Sequence, residues 1–485
     1  MGKKSFNGLG GKENIEDTKE KVNEGMIKLR KKFRTNCEFK KRSVLGMGGN
    51  WKSQWRYDIN VLPLELCSLF PNLFMTDTTL ITYLHVLNST KNPDHLFFLV
   101  KGLNALLTNH NPPIGPLIQE GTHKLLLKLM STPQISKDCV GCFINMTSNY
   151  PCSVFVEEGV IEILFEILET CDDELASLCI WCLGNLAGDS VECRDAVYKK
   201  GSFDVILKYT QVSACQENAA WLVTNLCKGK PSPPPEYLEK ACERVLRLLD
   251  KDSKTLSYIL ETVLYCNGHL PVLSTSQVAD ILCIVEKDRE NGYLALKVVG
   301  NLVESSKDYA HLLLGQDVLG KVLHLVNLGL PKEKKEALLI LSNLCVDLDH
   351  YLRVFLDHEI LKDSLRYLLD KDEELRLEAI WIFRNLLKFE DSYEVLHRLG
   401  FFHDFLSVFQ SHSPSTLIPA LESLNFLLLD ESFRTLFESN KTLFHVSRLV
   451  AHTNISIRVL SHQIVQFFAE SSSSPSSFNE MYKYN

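Results

Sequence analysis

Trp181-Cys-Leu-Gly-Asn185 and Trp221-Leu-Val-Thr-Asn225 state one phrase twice, 40 positions apart, within the stretch from Cys179 to Lys230. On a helix, residues four apart share a face about one turn from each other. Each phrase therefore presents an indole beside a carboxamide, with Leu183 and Leu186 left to pack behind them. The same interval recurs at Gly141…Asn145, Glu261…Tyr265, Lys297…Asn301, Leu339…Asn343, Trp381…Asn385 and Leu421…Asn425. The second members step through 145, 185, 225, 265, 301, 343, 385 and 425, at intervals of 36 to 42 residues.

A period of about 40–47 residues, built of two or three helices, marks armadillo or HEAT arrays. Each repeat reads as a short helix, a leucine-rich helix and a third helix bearing the phrase, often with a glycine near the first break. Gly121, Gly159, Gly201, Gly315 and Gly400 occupy such breaks, where glycine tolerates φ > 0. Runs such as Val160-Ile-Glu-Ile-Leu-Phe-Glu-Ile-Leu168 show the i, i+3, i+4, i+7 apolar spacing of a helix. The expected fold is all-α: a right-handed superhelix of about ten repeats over residues 78–470. The first repeat is expected to lack the Asn, and the last, near Ser461 to Phe468, to lack the whole phrase, as capping repeats do. Residues 1–50 form a basic arm, 51–77 a linker containing Trp51 and Trp55, and 471–485 a Ser-rich tail.

Composition narrows the function. The 485 residues are 45% hydrophobic, ordinary for a folded chain. No apolar run reaches the roughly 18 residues that span a bilayer, and no signal peptide opens the chain, so no membrane partner is expected. Fifteen cysteines without a secretory signal read as reduced thiols. The net charge of −8 divides unevenly: residues 1–50 hold 13 Lys/Arg and 6 Asp/Glu, a balance of +7, and the rest hold 39 and 54, a balance of −15. An acidic body attracts basic partners, and the arm is one candidate. Nucleic acid is not an expected ligand for such a body.

Stacked third helices at steps of about 8–10 Å would line a concave face. An extended peptide rises about 3.3 Å per residue, so each step accommodates about three ligand residues. A carboxamide can donate to a peptide C=O and accept from its N–H, whatever the ligand side chains. Parallel indoles leave slots for Lys or Arg stems, with cation–π attraction at the ring faces. A rim carboxylate such as Asp189 can fix the charged head. The face suits a stretched, lysine-rich peptide.

Trp181-Cys-Leu-Gly-Asn-Leu-Ala-Gly-Asp189, followed by Cys-Arg-Asp195, resembles the third armadillo repeat of importin-α, the adaptor for nuclear-localisation-signal cargo. Trp221-Leu-Val-Thr-Asn-Leu-Cys-Lys-Gly-Lys230, with the run Pro231 to Pro235, is similar to that family's fourth repeat. The resemblance implies a major signal-binding site at Asn145, Trp181, Asn185, Asp189, Trp221 and Asn225. It implies a minor site at Lys297, Asn301, Asn343, Glu378, Trp381 and Asn385. The family's first major-site tryptophan is Gly141 here, which would leave a lysine slot open on one side, and Leu339 replaces an indole of the minor site. Ile27-Lys-Leu-Arg-Lys31 and Lys40-Lys-Arg-Ser-Val44 resemble the importin-β-binding segment, in which a cluster matching Lys40, Lys41 and Arg42 folds back as an autoinhibitor. The departure is Asp17-Thr-Lys-Glu-Lys-Val22, where the family carries a run of arginines. Phe444 to Phe468 resembles the last repeat, used by the family toward its export receptor.

Two Cys-x-x-Cys pairs, Cys139/Cys142 and Cys179/Cys182, tempt a zinc reading, but they lie one repeat apart on equivalent helices, so repetition explains their spacing. No metal, cofactor or catalytic constellation is expected. The resemblance implies a non-enzymatic nuclear import adaptor, shuttling between cytoplasm and nucleus, that links basic cargo to importin-β. The alternative is an armadillo scaffold for another basic peptide, outside transport.

Overall fold

The computed structural model describes residues 77–471, less short internal segments near 110, 250–253, 347–350, 411–412 and 429–441. The arm with Lys40, Lys41 and Arg42, the linker up to residue 76 and the tail after Ser471 lie outside the described residues. Every regular element among the described residues is an α-helix or a short 3₁₀ turn. The helices form two compact units that divide between Val272 and Leu273.

In unit 1 the phrase-bearing helices are α1 (Pro93–Leu107), α2 (Ser136–Asn149), α3 (Asp173–Ala187), α4 (Gln216–Cys227) and α5 (Leu256–Tyr265). Each packs on the next in chain order. Between them run the shorter helices, such as Ser153–Glu157 and Val160–Leu168 between α2 and α3. In unit 2 the corresponding series is α6 (Gly292–Ser305), α7 (Pro331–Leu344), α8 (Glu373–Leu386), α9 (Pro414–Leu427) and α10 (Ile455–Ser471), again each on its successor. The repeat is thus of armadillo type, as the 40-residue period requires.

Local signals set the helix ends. Asp172 accepts the Leu175 N–H at the start of α3, and Asp372 accepts the Glu374 N–H at the start of α8. Each satisfies a donor that a helix N-terminus leaves unpaired. Gly121, Gly159 and Gly400 take φ of 69°, 89° and 78° immediately before the second helix of their repeats. Gly201 and Gly315 do not: their φ values are −110° and −67°. Gly201 is small for another reason, since a Cβ there would collide with the Phe165 ring.

The core lies between successive phrase helices, where Leu183, Leu186, Leu222 and Leu226 are fully buried. Each such leucine contributes about 1.5–3 kcal/mol relative to an exposed one. Cys139, Cys142, Cys179 and Cys182 share this core, buried and unbridged. Burial pushes the Cys139 and Cys182 thiols up to about 12 and holds Cys142 well above the ordinary range. They pack as small hydrophobes, since the thiolate that would bind metal or react is disfavoured. Alkylation at pH 8 should therefore leave these four unlabelled in the native protein and label all four after unfolding, read by peptide mass spectrometry. Rapid native labelling of Cys142 would place the pair outside the core.

Candidate functional site

The asparagines of the phrase turn into the stack. Asn185 is fully buried, and its Nδ2 donates to the Ile144 carbonyl at 3.1 Å and to Thr147 Oγ1 at 3.3 Å. Asn225, also fully buried, donates to the Gly184 carbonyl at 3.0 Å. Asn385 in unit 2 donates to the Ser342 carbonyl at 2.9 Å. Each bond crosses from one phrase helix to the one before it. Asn145 reaches back likewise, to Asn104 Oδ1 on α1 at 3.4 Å. The first repeat therefore has its asparagine, contrary to the sequence expectation. Asn104 sits 41 positions before Asn145, and that interval was the signal that could have found it.

The aromatic positions divide into two kinds. Trp181 is half-buried on α3, while Trp221 on α4 is only 3% exposed. The Trp221 ring lies directly on the α3 backbone at Gly184, where any Cβ would collide with it. At Gly141 the side that was expected to be open is filled. The Asn104 carboxamide lies 2.7–3.0 Å from where a Cβ would stand, held by Asp138 at 3.1 Å and by Asn145. Asp189 follows α3 and is half-buried, accepting the Cys152 N–H at 3.0 Å at the start of the helix Ser153–Glu157.

Arg194, in the Cys-Arg-Asp195 motif, is 1% exposed. It donates to the carbonyls of Lys228 and Pro231, the latter at 3.0 Å, and pairs with Asp195 at 2.7 Å. The motif thereby fixes the segment that opens the proline run. Lys228 itself is buried, with Nζ 3.4 Å from Asn225 Oδ1, 3.3 Å from Glu261 and 5.3 Å from the Tyr265 ring centre.

The residues expected at the minor site lie on α6, α7 and α8 of unit 2. Lys297 is half-buried, 5.7 Å from the Tyr293 ring centre. Asn301 is buried and Asn343 half-buried. Glu378 is buried and accepts the Ser342 hydroxyl at 3.3 Å. Trp381 is 4% exposed, with the Arg384 guanidinium 4.9 Å from its ring centre. Arg384, Lys228 and Glu422 stand beside these residues and did not stand out in the sequence, because Arg384 pairs with Glu422 and Lys228 with Glu261 across a repeat.

These geometries stand beside several similar proteins. The chain is 29% identical over 152 residues to importin subunit alpha-2 of Arabidopsis thaliana, covering 30% of this chain and 28% of that protein. It is 26% identical over 251 residues to importin subunit alpha-1b of Oryza sativa subsp. japonica, with shares of 48% and 46%. With importin subunit alpha-3 of Arabidopsis thaliana it shares 25% identity over 347 residues, 66% of this chain and 62% of the relative. The chain thus spans less than two thirds of the length of each of these curated relatives. No family model matches. Among solved structures, the crystal structure of an engineered protein matches with a TM-score of 0.69 at 16% identity, over 81% of this chain and 98% of the other. That likeness concerns the fold alone. The class supported is a divergent, importin-α-like protein of armadillo type. No helix among the described residues is long and apolar enough to cross a membrane.

The carboxamide bonds make a direct prediction. Asn185→Ala should cost about 1–3 kcal/mol in urea unfolding, since Thr147 and the Ile144 carbonyl lose a buried donor. Asn185→Asp keeps the shape, and burial raises the new carboxyl's pKa above its unfolded value of about 3.9. Its protonated form can still donate, so the stability of this variant should be greatest at acid pH and fall as pH rises through the folded pKa. A flat pH profile relative to wild type, with an unchanged midpoint for the Ala variant, would show that the bond does not hold the repeats.

Proposed function

We propose that this chain is an import adaptor that binds lysine-rich nuclear localisation signals on the phrase helices of unit 1 and is linked to importin-β through its basic arm. The observation that carries the reading is Trp181. It is a half-buried indole on α3, one turn from Asn185, on a body whose charge balance is −15. A ring of this kind offers its face to a Lys or Arg stem, where cation–π attraction adds about 0.5–2 kcal/mol. Asn145, Asn185 and Asn225 mark the rungs, and Trp221 and Asp189 flank them. Importin α subunits are the similar proteins, over part of their length.

The arm completes the reading. Lys40-Lys41-Arg42 is the best cargo mimic in the chain, and a ligand tethered to its own site has an effective concentration that reaches the order of millimolar when the linker spans the distance. An internal ligand of about 0.1 mM affinity then lowers apparent cargo affinity about tenfold, until importin-β sequesters the arm. Shuttling between cytoplasm and nucleus follows, with an export receptor at the C-terminal repeat. The alternative, a scaffold for basic peptides outside transport, draws support from Asp17-Thr-Lys-Glu-Lys-Val22 in place of an arginine run. Direct binding of residues 1–50 to importin-β separates the two.

The test is a titration of a fluorescent lysine-rich signal peptide into wild type, Trp181→Ala and a chain lacking residues 1–50. The Ala variant should lose about 2 kcal/mol or more. The truncated chain should gain about tenfold at low salt and less at high salt, since exposed opposite charges are screened. Equal affinities for wild type and the Trp181 variant would overturn the assignment.

A further inference from the structure

A cation slot on a phrase helix needs three things: an aromatic face, a carboxylate on the neighbouring helix and a polar oxygen between them. At Trp381 all three are present and already in use. Arg384, one turn after Trp381 on α8, places its guanidinium 4.9 Å from the indole centre. Its Nε donates to Glu422 on α9 at 2.8 Å, and its Nη1 donates to Asn385 Oδ1 at 3.3 Å. Arg384 is 3% exposed and Trp381 4% exposed. In the same unit the Tyr293 ring also faces cations of the chain, Lys297 at 5.7 Å and Lys332 at 4.5 Å. Unit 1 closes its own far rung in like manner, with Lys228 between Asn225, Glu261 and Tyr265. By contrast, among the described residues no Lys or Arg lies over the Trp181 ring.

We infer that Arg384 is the resident occupant of the Trp381 slot, so that unit 2 takes no basic ligand side chain there and selectivity rests on the rungs α2, α3 and α4. This inference deepens the peptide-binding reading and rests on it. The three interactions of Arg384 are those that a ligand lysine or arginine would make, so ligand and resident compete for one ring face and one carboxylate. The resident is tethered and already buried, and a ligand must displace it without gaining a new contact. Two steps of about 8–10 Å between three rungs, at about 3.3 Å per extended residue, leave a ligand stretch of about five or six residues. The preferred partner is a single short basic cluster, not two clusters on one segment.

The test uses the full chain with Arg384→Ala, and with Arg384→Gln as a variant that keeps a polar stem in the slot. Far-UV circular dichroism follows the fold, and methylguanidinium at low millimolar concentration is the probe. It should raise the thermal midpoint of the Ala variant by a few degrees, by ligand linkage, and should leave wild type and the double variant with Glu422→Gln unmoved. Calorimetric titration with a lysine-rich peptide should give one peptide per chain for wild type and two for the folded Arg384 variants. The second site should survive Trp181→Ala. A folded variant that gains nothing from methylguanidinium, or that still takes one peptide, overturns the occupancy. Loss of methylguanidinium rescue counts against Arg384 alone. Peptide binding indifferent to Trp181→Ala counts against the peptide reading and leaves the rescue result standing.

Discussion

The bond from an asparagine carboxamide to the preceding phrase helix is the constraint on which the repeat stack depends. In three rungs the acceptor is the carbonyl of the residue just before the previous rung: Ile144 for Asn185, Gly184 for Asn225 and Ser342 for Asn385. The separations are 41, 41 and 43 residues, so loops of different length deliver the same register. A one-residue slip would turn the helix by about 100°. It would carry a polar amide into the leucine core and leave it without a partner, at a cost of about 1–3 kcal/mol. The apolar contacts supply more energy than these bonds, but they are not directional. The carboxamides select one rotation of α2, α3, α4 and α8.

That selection fixes where the aromatic rings go. With Asn225 held at the Gly184 carbonyl, Trp221 one turn earlier on α4 lies against the same stretch of α3, which explains why position 184 is glycine. Spending one donor on the stack does not exhaust the group, because a carboxamide carries two N–H donors and an oxygen with two lone pairs. At Asn225 and Asn385 the oxygen accepts from the chain's own Lys228 and Arg384. The rungs therefore differ in what their oxygens accept while sharing one structural role.

How much of this was legible in the sequence depended on what kind of relation was involved. The period, the helix type and the one-face placement of Trp181, Asn185, Trp221 and Asn225 follow from spacing alone. Spacing does not give the direction of a side chain's hydrogen bond, and it did not show that the carboxamides also donate into the stack. Asn104 was missed although its interval to Asn145 is regular. The Gly141 position looked open because the side chain that fills it, Asn104, comes from the neighbouring repeat. The two Cys-x-x-Cys pairs were readable as core because repetition itself accounted for them.

Opposite charges one repeat apart were the least legible feature. Arg384 and Glu422 belong to successive helices, as do Lys228 and Glu261. Neither pair has the i, i+4 spacing that identifies a helix-surface ion pair. Each member alone reads as a solvated charge. Brought together, a nearly buried cation and a carboxylate satisfy each other, and removing either leaves the other poorly solvated. A slot filled in this way stabilises the stack where an exposed one would invite a ligand. The two demands compete for the same indole and the same acid, so a repeat protein of this type can trade a binding rung for a structural one by a single basic residue beside the ring. On α8 that residue is Arg384. On α3, by contrast, no Lys or Arg among the described residues lies over the Trp181 ring.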